Sequence, residues 1–135
     1  MDCIFCKIAN KLNQAEIVYE DEKILAFKDI KPQAPIHLLI IPKKHIPSVD
    51  HVETEDKMLM GELILAAKII ARERNLNSYK LQINVGRPAG QMVDHLHLHL
   101  LAKEDKSSSS PFANARVSKE DKSSSLPFAA ARVSK

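Results

Sequence analysis

Asp94-His95-Leu96-His97-Leu98-His99-Leu100-Leu101 sets three of the chain's six histidines at two-residue spacing, with leucines between them. Side chains alternate faces along an extended strand. The stretch therefore predicts His95, His97 and His99 on one face and Leu96, Leu98 and Leu100 on the other. A leucine face suits burial under helices, which leaves an imidazole row facing something polar. The bland alternative is a half-exposed strand whose histidines have no use, and three imidazoles on one side of a core strand argue against it.

One metal ion bound by all three is awkward. Residues i and i+4 of a regular strand lie about 13 Å apart, although i and i+2 can chelate. The other arrangement is a division of labour, in which the middle imidazole attacks while its neighbours orient it, bind an anion or hold the chain. Imidazole suits attack on phosphorus because it is partly neutral near pH 7 and forms a P–N bond that is easily broken again.

Outward from this stretch, 135 residues make one domain's worth of chain, enough to bury a core. No apolar run approaches a membrane span, and the start, Met1-Asp2-Cys3, lacks the basic and apolar regions of a signal peptide. A cytoplasmic protein without a membrane partner is expected. Residues 1–102 carry 13 Lys+Arg and 13 Asp+Glu, so the formal net charge of +3 lies wholly beyond them. A basic nucleic-acid-binding face on the folded part is not expected. Cys3-x-x-Cys6 is too little for a disulfide scaffold and suggests metal binding or redox work; two plain reduced thiols are the alternative.

Residues 3–11 place Ile4, Ile8 and Phe5 toward one side of a short helix. Residues 16–20 and 23–29 read as a hairpin joined through Asp21-Glu22, followed by a loop containing Pro32 and Pro35. Residues 36–42 read as an apolar central strand. A long helix is predicted from about Thr54 to Asn75, striped by Leu59, Leu63, Ala66, Ala67 and Ile70. Met58, Leu65 and Ile69 widen that stripe, consistent with either a second burial surface or a deeply buried helix. Residues 79–85 alternate as a strand, and a loop over 86–92 leads into the histidines. The fold class is α+β: a mostly antiparallel sheet with one long helix and a short N-terminal helix.

Residues 103–119 recur as 119–135, differing only at Ser110/Leu126 and Asn114/Ala130. Two copies are too few for a solenoid, and serine runs with charges support no packed core. The division expected is a domain over 1–102 and a flexible tail over 103–135, to which no chemistry is assigned.

The His-φ-His-φ-His-φ-φ run at 95–101 resembles the signature of the histidine triad (HIT) family of nucleotide hydrolases and transferases. Cys-Ile-Phe-Cys-Lys-Ile at 3–8, Ala-Phe-Lys-Asp-Ile at 26–30, Pro-Gln-Ala-Pro at 32–35 and His-Leu-Leu-Ile-Ile-Pro-Lys-Lys-His at 37–45 resemble its Hint branch. So do Asn84-Val85-Gly86 and Gly90-Gln91, and the similarity spans residues 3–102. The resemblance implies a HIT-like fold and a homodimer that cleaves purine nucleoside phosphoramidates, adenosine ones above all. His97 would be the nucleophile, forming a covalent nucleotidyl-imidazole that water then hydrolyses. His99 would hydrogen-bond the phosphate, His95 and His37 would complete the imidazole network, and Asn84 with the Gly90-Gln91-Met92 backbone would cradle the phosphate. Asp29 would accept from the ribose hydroxyls, with Ile30 and Phe27 lining the base pocket.

Plainer readings stand beside these: Asp29 as a turn former, Asn84 as a turn cap and His37 as an ordinary strand histidine. His51 matches no motif and reads as surface.

Two departures are visible. Met92 stands where many relatives carry a serine that contacts the leaving group, and Leu101-Ala102-Lys103 replaces a common Leu-Gly-Gly. Some relatives with Cys-x-x-Cys bind structural zinc, which here would draw on Cys3, Cys6, His45 and His95; the chemistry itself would need no cofactor. Two other function classes remain open: a strand-based metallohydrolase using pairs of the triad histidines, and a purine nucleotide-binding or scaffold module with vestigial activity.

Overall fold

In the structure, a computed structural model that describes residues 3–103, the alternation of the histidine stretch sorts the whole domain into two sides. Five strands form one antiparallel sheet: β1 (Ile17–Glu20), β2 (Ile24–Lys28), β3 (Ile36–Pro42), β4 (Lys80–Gln82) and β5 (Leu98–Ala102), in the order β1-β2-β3-β5-β4. A short helix α1 (Ile4–Ala9) precedes them, and a long one, α2 (Lys57–Glu73), separates β3 from β4. This is the expected α+β arrangement. The tail from residue 104 onward, with the tandem repeat, lies outside the described residues.

Leu96, Leu98 and Leu100 pack with Leu38, Ile40, Ile24 and Ala26 beneath α2, which contributes Leu63, Ala66, Ala67, Ile70 and Ala71. Three alanines on that helical face let its backbone lie close to the sheet, which favours dense packing. Residues one position out of phase, Leu25, Phe27, Leu39 and Ile41, turn to the opposite face and meet Phe5 and Ile8 of α1. The imidazoles point to that second side.

Local chemistry sets the element ends. Asp21 Oδ1 accepts from the Lys23 and Ile24 N–H groups at 2.8 Å, closing the β1–β2 hairpin as an Asx turn. Helix α2 starts later than Thr54, which opens a 3₁₀ turn over Thr54–Asp56. There Asp56 accepts from the Glu53 N–H at 3.0 Å and pairs with Lys44 at 2.6 Å, tying the helix start to the end of β3. Asn75, at φ 60°, ends α2 in the left-handed conformation. The Leu76 and Asn75 N–H groups then return to Ala71 and Arg72, a Schellman closure.

Two extents differ from expectation. The strand expected over 79–85 is only Lys80–Gln82, and of the three histidines only His99 lies within a strand. The cause is shared. Upstream of Leu98 the backbone leaves the ladder: Leu96 N–H donates to the Ile46 carbonyl and His95 N–H to that of Val93. The pairing of β4 with β5 accordingly stops at Gln82 opposite His99. The face alternation of residues 95–100 survives the change.

Candidate active site

His97 is buried, and its ring is held on two sides. Its Nδ1–H donates to the His95 carbonyl at 2.7 Å, so the neutral ring carries its lone pair on Nε2. The Phe5 ring stands at 89° to it, 5.1 Å between centroids, and reaches there because α1 packs Phe5 onto Phe27. Burial pushes the His97 pKa below its ordinary value, against the pull of the His95 carbonyl and of Asp29. A neutral, oriented imidazole with its lone pair on Nε2 has the form that nucleophilic attack requires.

His99 stands beside it, 4.9 Å between ring centroids, and pairs through Nδ1 with His37 Nε2 at 2.9 Å. These two rings meet because β3 and β5 are neighbours with Leu39 opposite His99. Asp29, at the end of β2, brings Oδ2 to 3.4 Å from His37 Nε2, while its Oδ1 accepts from the Lys31 N–H at 2.9 Å. His99 Nε2 is buried and has no hydrogen-bond partner among the described residues. A buried polar atom of that kind is costly unless something else supplies the partner.

Burial, first, and the neighbouring His97 and His37 push His99 down to about 4, with Asp29 opposing. Burial likewise lowers His37. An unfolded histidine titrates near 6.5. Between about pH 6.5 and 4 the unfolded chain therefore binds a proton here that the folded chain does not. Stability is fully present above that window and is lost as the pH falls through it. The expected loss at His99, discounted for partial exposure, is on the order of 2 kcal/mol. Urea midpoints at pH 7 and pH 4.5 measure it, and equal midpoints would contradict a buried neutral His99.

The loop before the histidines is built around Gln91. Its side chain is buried: Nε2–H₂ donates to the Pro47 carbonyl at 2.7 Å and the Val93 carbonyl at 3.0 Å, and Oε1 accepts from the Gly86 N–H at 2.9 Å. This clamp was not anticipated, since a lone glutamine in a loop carries no sequence signal. Gly90 sits at φ 103°, and a Cβ there would come within 3.2 Å of Asn84 Nδ2. Asn84 in turn donates to the Gly90 carbonyl at 3.4 Å, so the two residues expected around a phosphate lie together. Phe27 is buried, whereas Ile30 and Met92 are 85% and 70% exposed. His51 is exposed, as expected, and pairs with Ser48 Oγ at 3.0 Å.

At the other end of the row, four donor atoms converge. His95 donates Nε2–H to the Pro42 carbonyl at 2.8 Å, which leaves the Nδ1 lone pair facing inward. That Nδ1 lies 3.3 Å from Cys3 Sγ, 3.5 Å from Cys6 Sγ and 3.2 Å from His45 Nδ1, and Cys6 Sγ lies 3.3 Å from His45 Nδ1. Tetrahedral zinc, with bonds near 2.3 Å to sulfur and 2.0–2.1 Å to nitrogen, spaces its donors about 3.3–3.8 Å apart. These four separations match such an ion within a few tenths of an ångström, and all four donor atoms lie within 4.8 Å of one another. Burial and the adjacent Cys3 thiol push the Cys6 thiol up, so a bound cation would displace its proton. His97 is not among these donors.

The family model described as scavenger mRNA decapping enzyme C-term binding matches residues 2–113. A HIT-like protein of Synechocystis is 48% identical over 101 residues, covering 74% of this chain and 89% of its own length. Protein HitA of Neisseria gonorrhoeae is 46% identical over 101 residues, covering 74% and 94%. Among solved structures, a HIT family hydrolase from Legionella pneumophila aligns with a TM-score of 0.73 at 48% identity, over 75% of this chain and 92% of that one. A histidine triad protein from Clostridium difficile aligns with a TM-score of 0.74 at 40% identity, over 77% and 92%.

Proposed function

Because this chain belongs to the histidine triad family, we propose that it is a Hint-type hydrolase that cleaves the P–N bond of purine nucleoside phosphoramidates through a nucleotidyl intermediate on His97. The observation that carries this reading is the His97 ring itself, whose Nδ1–H is committed to the His95 carbonyl and whose Nε2 lone pair meets no donor among the described residues. The similar proteins from Legionella pneumophila and Clostridium thermocellum described as HIT family hydrolases support hydrolysis in general.

In the first step the Nε2 lone pair attacks the α-phosphorus. The P–N bond breaks, and its electron pair leaves on the amine nitrogen, which takes a proton from solvent. The ring becomes an N-phosphorylated imidazolium whose Nδ1–H still donates to the His95 carbonyl, a bond that strengthens as charge develops. In the second step water attacks the same phosphorus and gives up a proton to solvent, the P–Nε2 bond returns its electrons to the ring, and the nucleoside monophosphate leaves. Asn84 and the turn at Gly90 and Gln91 hold the phosphate, Asp29 accepts from the ribose, and exposed Ile30 with Phe27 borders the base. Turnover of adenosine 5′-monophosphoramidate, read as released ammonia and adenosine monophosphate, is the test. A protein that binds adenosine monophosphate without turning the substrate over would instead be a binding module.

Cys3, Cys6, His45 and His95 hold a structural zinc ion in this reading. Four protein donors close a tetrahedral site, which leaves no position for substrate and disfavours a metal-driven hydrolysis. The ion joins α1 to the catalytic segment.

The protein's partner is a second copy of itself. Met58 and Leu65 of α2, 71% and 47% exposed, and Leu81 of edge strand β4 offer apolar surface to it. Sedimentation at micromolar concentration is expected to give twice the chain mass, and a monomer would refute the pairing. A cytoplasmic setting belongs to the same reading; no helix among the described residues is long and apolar enough to cross a membrane.

A further inference from the structure

One histidine of the network, His37, has both ring nitrogens committed, Nδ1 to a backbone amide outside the triad and Nε2 to His99. The Gln33 backbone N–H donates to His37 Nδ1 at 2.9 Å. An amide N–H can only donate, so the neutral His37 ring carries its proton on Nε2. That Nε2–H faces His99 Nδ1 at 2.9 Å, with Asp29 Oδ2 at 3.4 Å on its flank. His99 must then accept at Nδ1 and carry its own proton on Nε2, the buried atom with no partner among the described residues.

The geometry points to the Gln33 backbone N–H as the positioning group that, acting through His37, presents His99 to the substrate as a hydrogen-bond donor. The direction matters because phosphate oxygens only accept. With the opposite tautomers, His99 would aim a lone pair at an anion. The arrangement orients rather than conducts, since a backbone amide does not ionise and the chain of bonds ends there.

The 29–37 loop holds the amide in place. Asp29 N–H donates to the His37 carbonyl at 3.0 Å, Asp29 Oδ1 accepts from the Lys31 N–H, and Pro32 and Pro35 flank Gln33. The Gln33 side chain is exposed, so it is the position of the N–H, rather than the residue type, that does the work.

The lock is geometric and independent of substrate; only its kinetic consequence rests on the proposed hydrolysis. Nitrogen-15 NMR of the full-length wild-type chain near pH 7.5, where histidine is mostly neutral, tests it directly. The expected spectrum shows scalar couplings across two hydrogen bonds, from the Gln33 amide to His37 Nδ1 and from His37 Nε2 to His99 Nδ1. It also shows both rings protonated at Nε2. His37 protonated at Nδ1, or a missing Gln33 coupling, overturns the proposal.

Gln33→Ala keeps the N–H and is expected to keep both tautomers. Gln33→Pro removes it and is expected to shift His37 toward Nδ1–H, with kcat/KM for adenosine 5′-monophosphoramidate down about tenfold. Unchanged tautomers in Gln33→Pro overturn the lock, and if that variant does not fold, the wild-type spectrum decides alone. A locked wild type with no phosphoramidate turnover refutes the substrate and leaves the lock standing. Turnover with an unlocked His37 does the reverse.

Discussion

His97→Ala is expected to lose about 10⁴-fold in kcat for adenosine 5′-monophosphoramidate while binding adenosine monophosphate within a fewfold of wild type. Of the two rings tied to a backbone carbonyl, His95 turns its lone pair toward Cys3, Cys6 and His45, whereas the His97 lone pair on Nε2 stays outside that cluster, and truncation removes it. The fold should persist, because the leucine face under α2 is untouched and the ring packs on the opposite side, toward Phe5 and His99. Acid-sensitive labelling of the wild type with radiolabelled substrate, absent from His97→Ala, would mark the covalent intermediate. Activity in the variant within tenfold of wild type would sink nucleophilic catalysis at this residue.

The second large effect is on stability. Wild-type protein purified without chelator is expected to carry one zinc ion per chain by elemental analysis, and Cys3→Ser/Cys6→Ser none. The double variant should melt about 10–20 °C lower, the shift that a loss of roughly 2–3 kcal/mol produces in a domain of this size. What is lost is the join between α1, with Phe5 and Ile8, and the segment carrying His95. Chelation should lower melting in the same direction, yet leave turnover in whatever fraction stays folded. Metal-free wild type with an unchanged melting point in the variant would refute the zinc assignment. Turnover that disappears on chelation from fully folded protein would revive a catalytic metal.

Much of this was readable from residue types alone, and the reason is periodicity. Leucines alternating with histidines announce two faces, and both faces are found as expected: Leu96, Leu98 and Leu100 under α2, the imidazoles opposite. The stripe Leu63, Ala66, Ala67 and Ile70 announced the helix that covers them. Local pattern does not record where a strand stops pairing. His95 and His97 looked like strand residues, but the Leu96 N–H goes to Ile46, a contact that depends on tertiary placement, and the His95 N–H to Val93 in a local turn.

The same limit hid the clamp made by the Gln91 side chain, a residue the sequence placed only by its backbone; its three hydrogen bonds reach residues up to 44 positions away. It also hid Phe5 as a support for His97, since Phe5 reads from sequence only as an apolar residue of a short helix. Resemblance to relatives suggested which residues belong together around a phosphate. Distances then added what no motif contains, namely which nitrogen of each ring holds the proton.

The two-residue rhythm of 95–101 also constrains how the gene can change. Inserting or deleting one codon between Leu96 and Leu100 would exchange the two faces beyond that point, sending imidazole into the packing under α2 and leucine toward the phosphate. No neighbouring side chain can compensate, because core and chemistry are written on alternate letters of one reading frame. Substitution is the only open route for this segment: the leucine positions can drift among residues of similar volume, while the segment's length stays frozen.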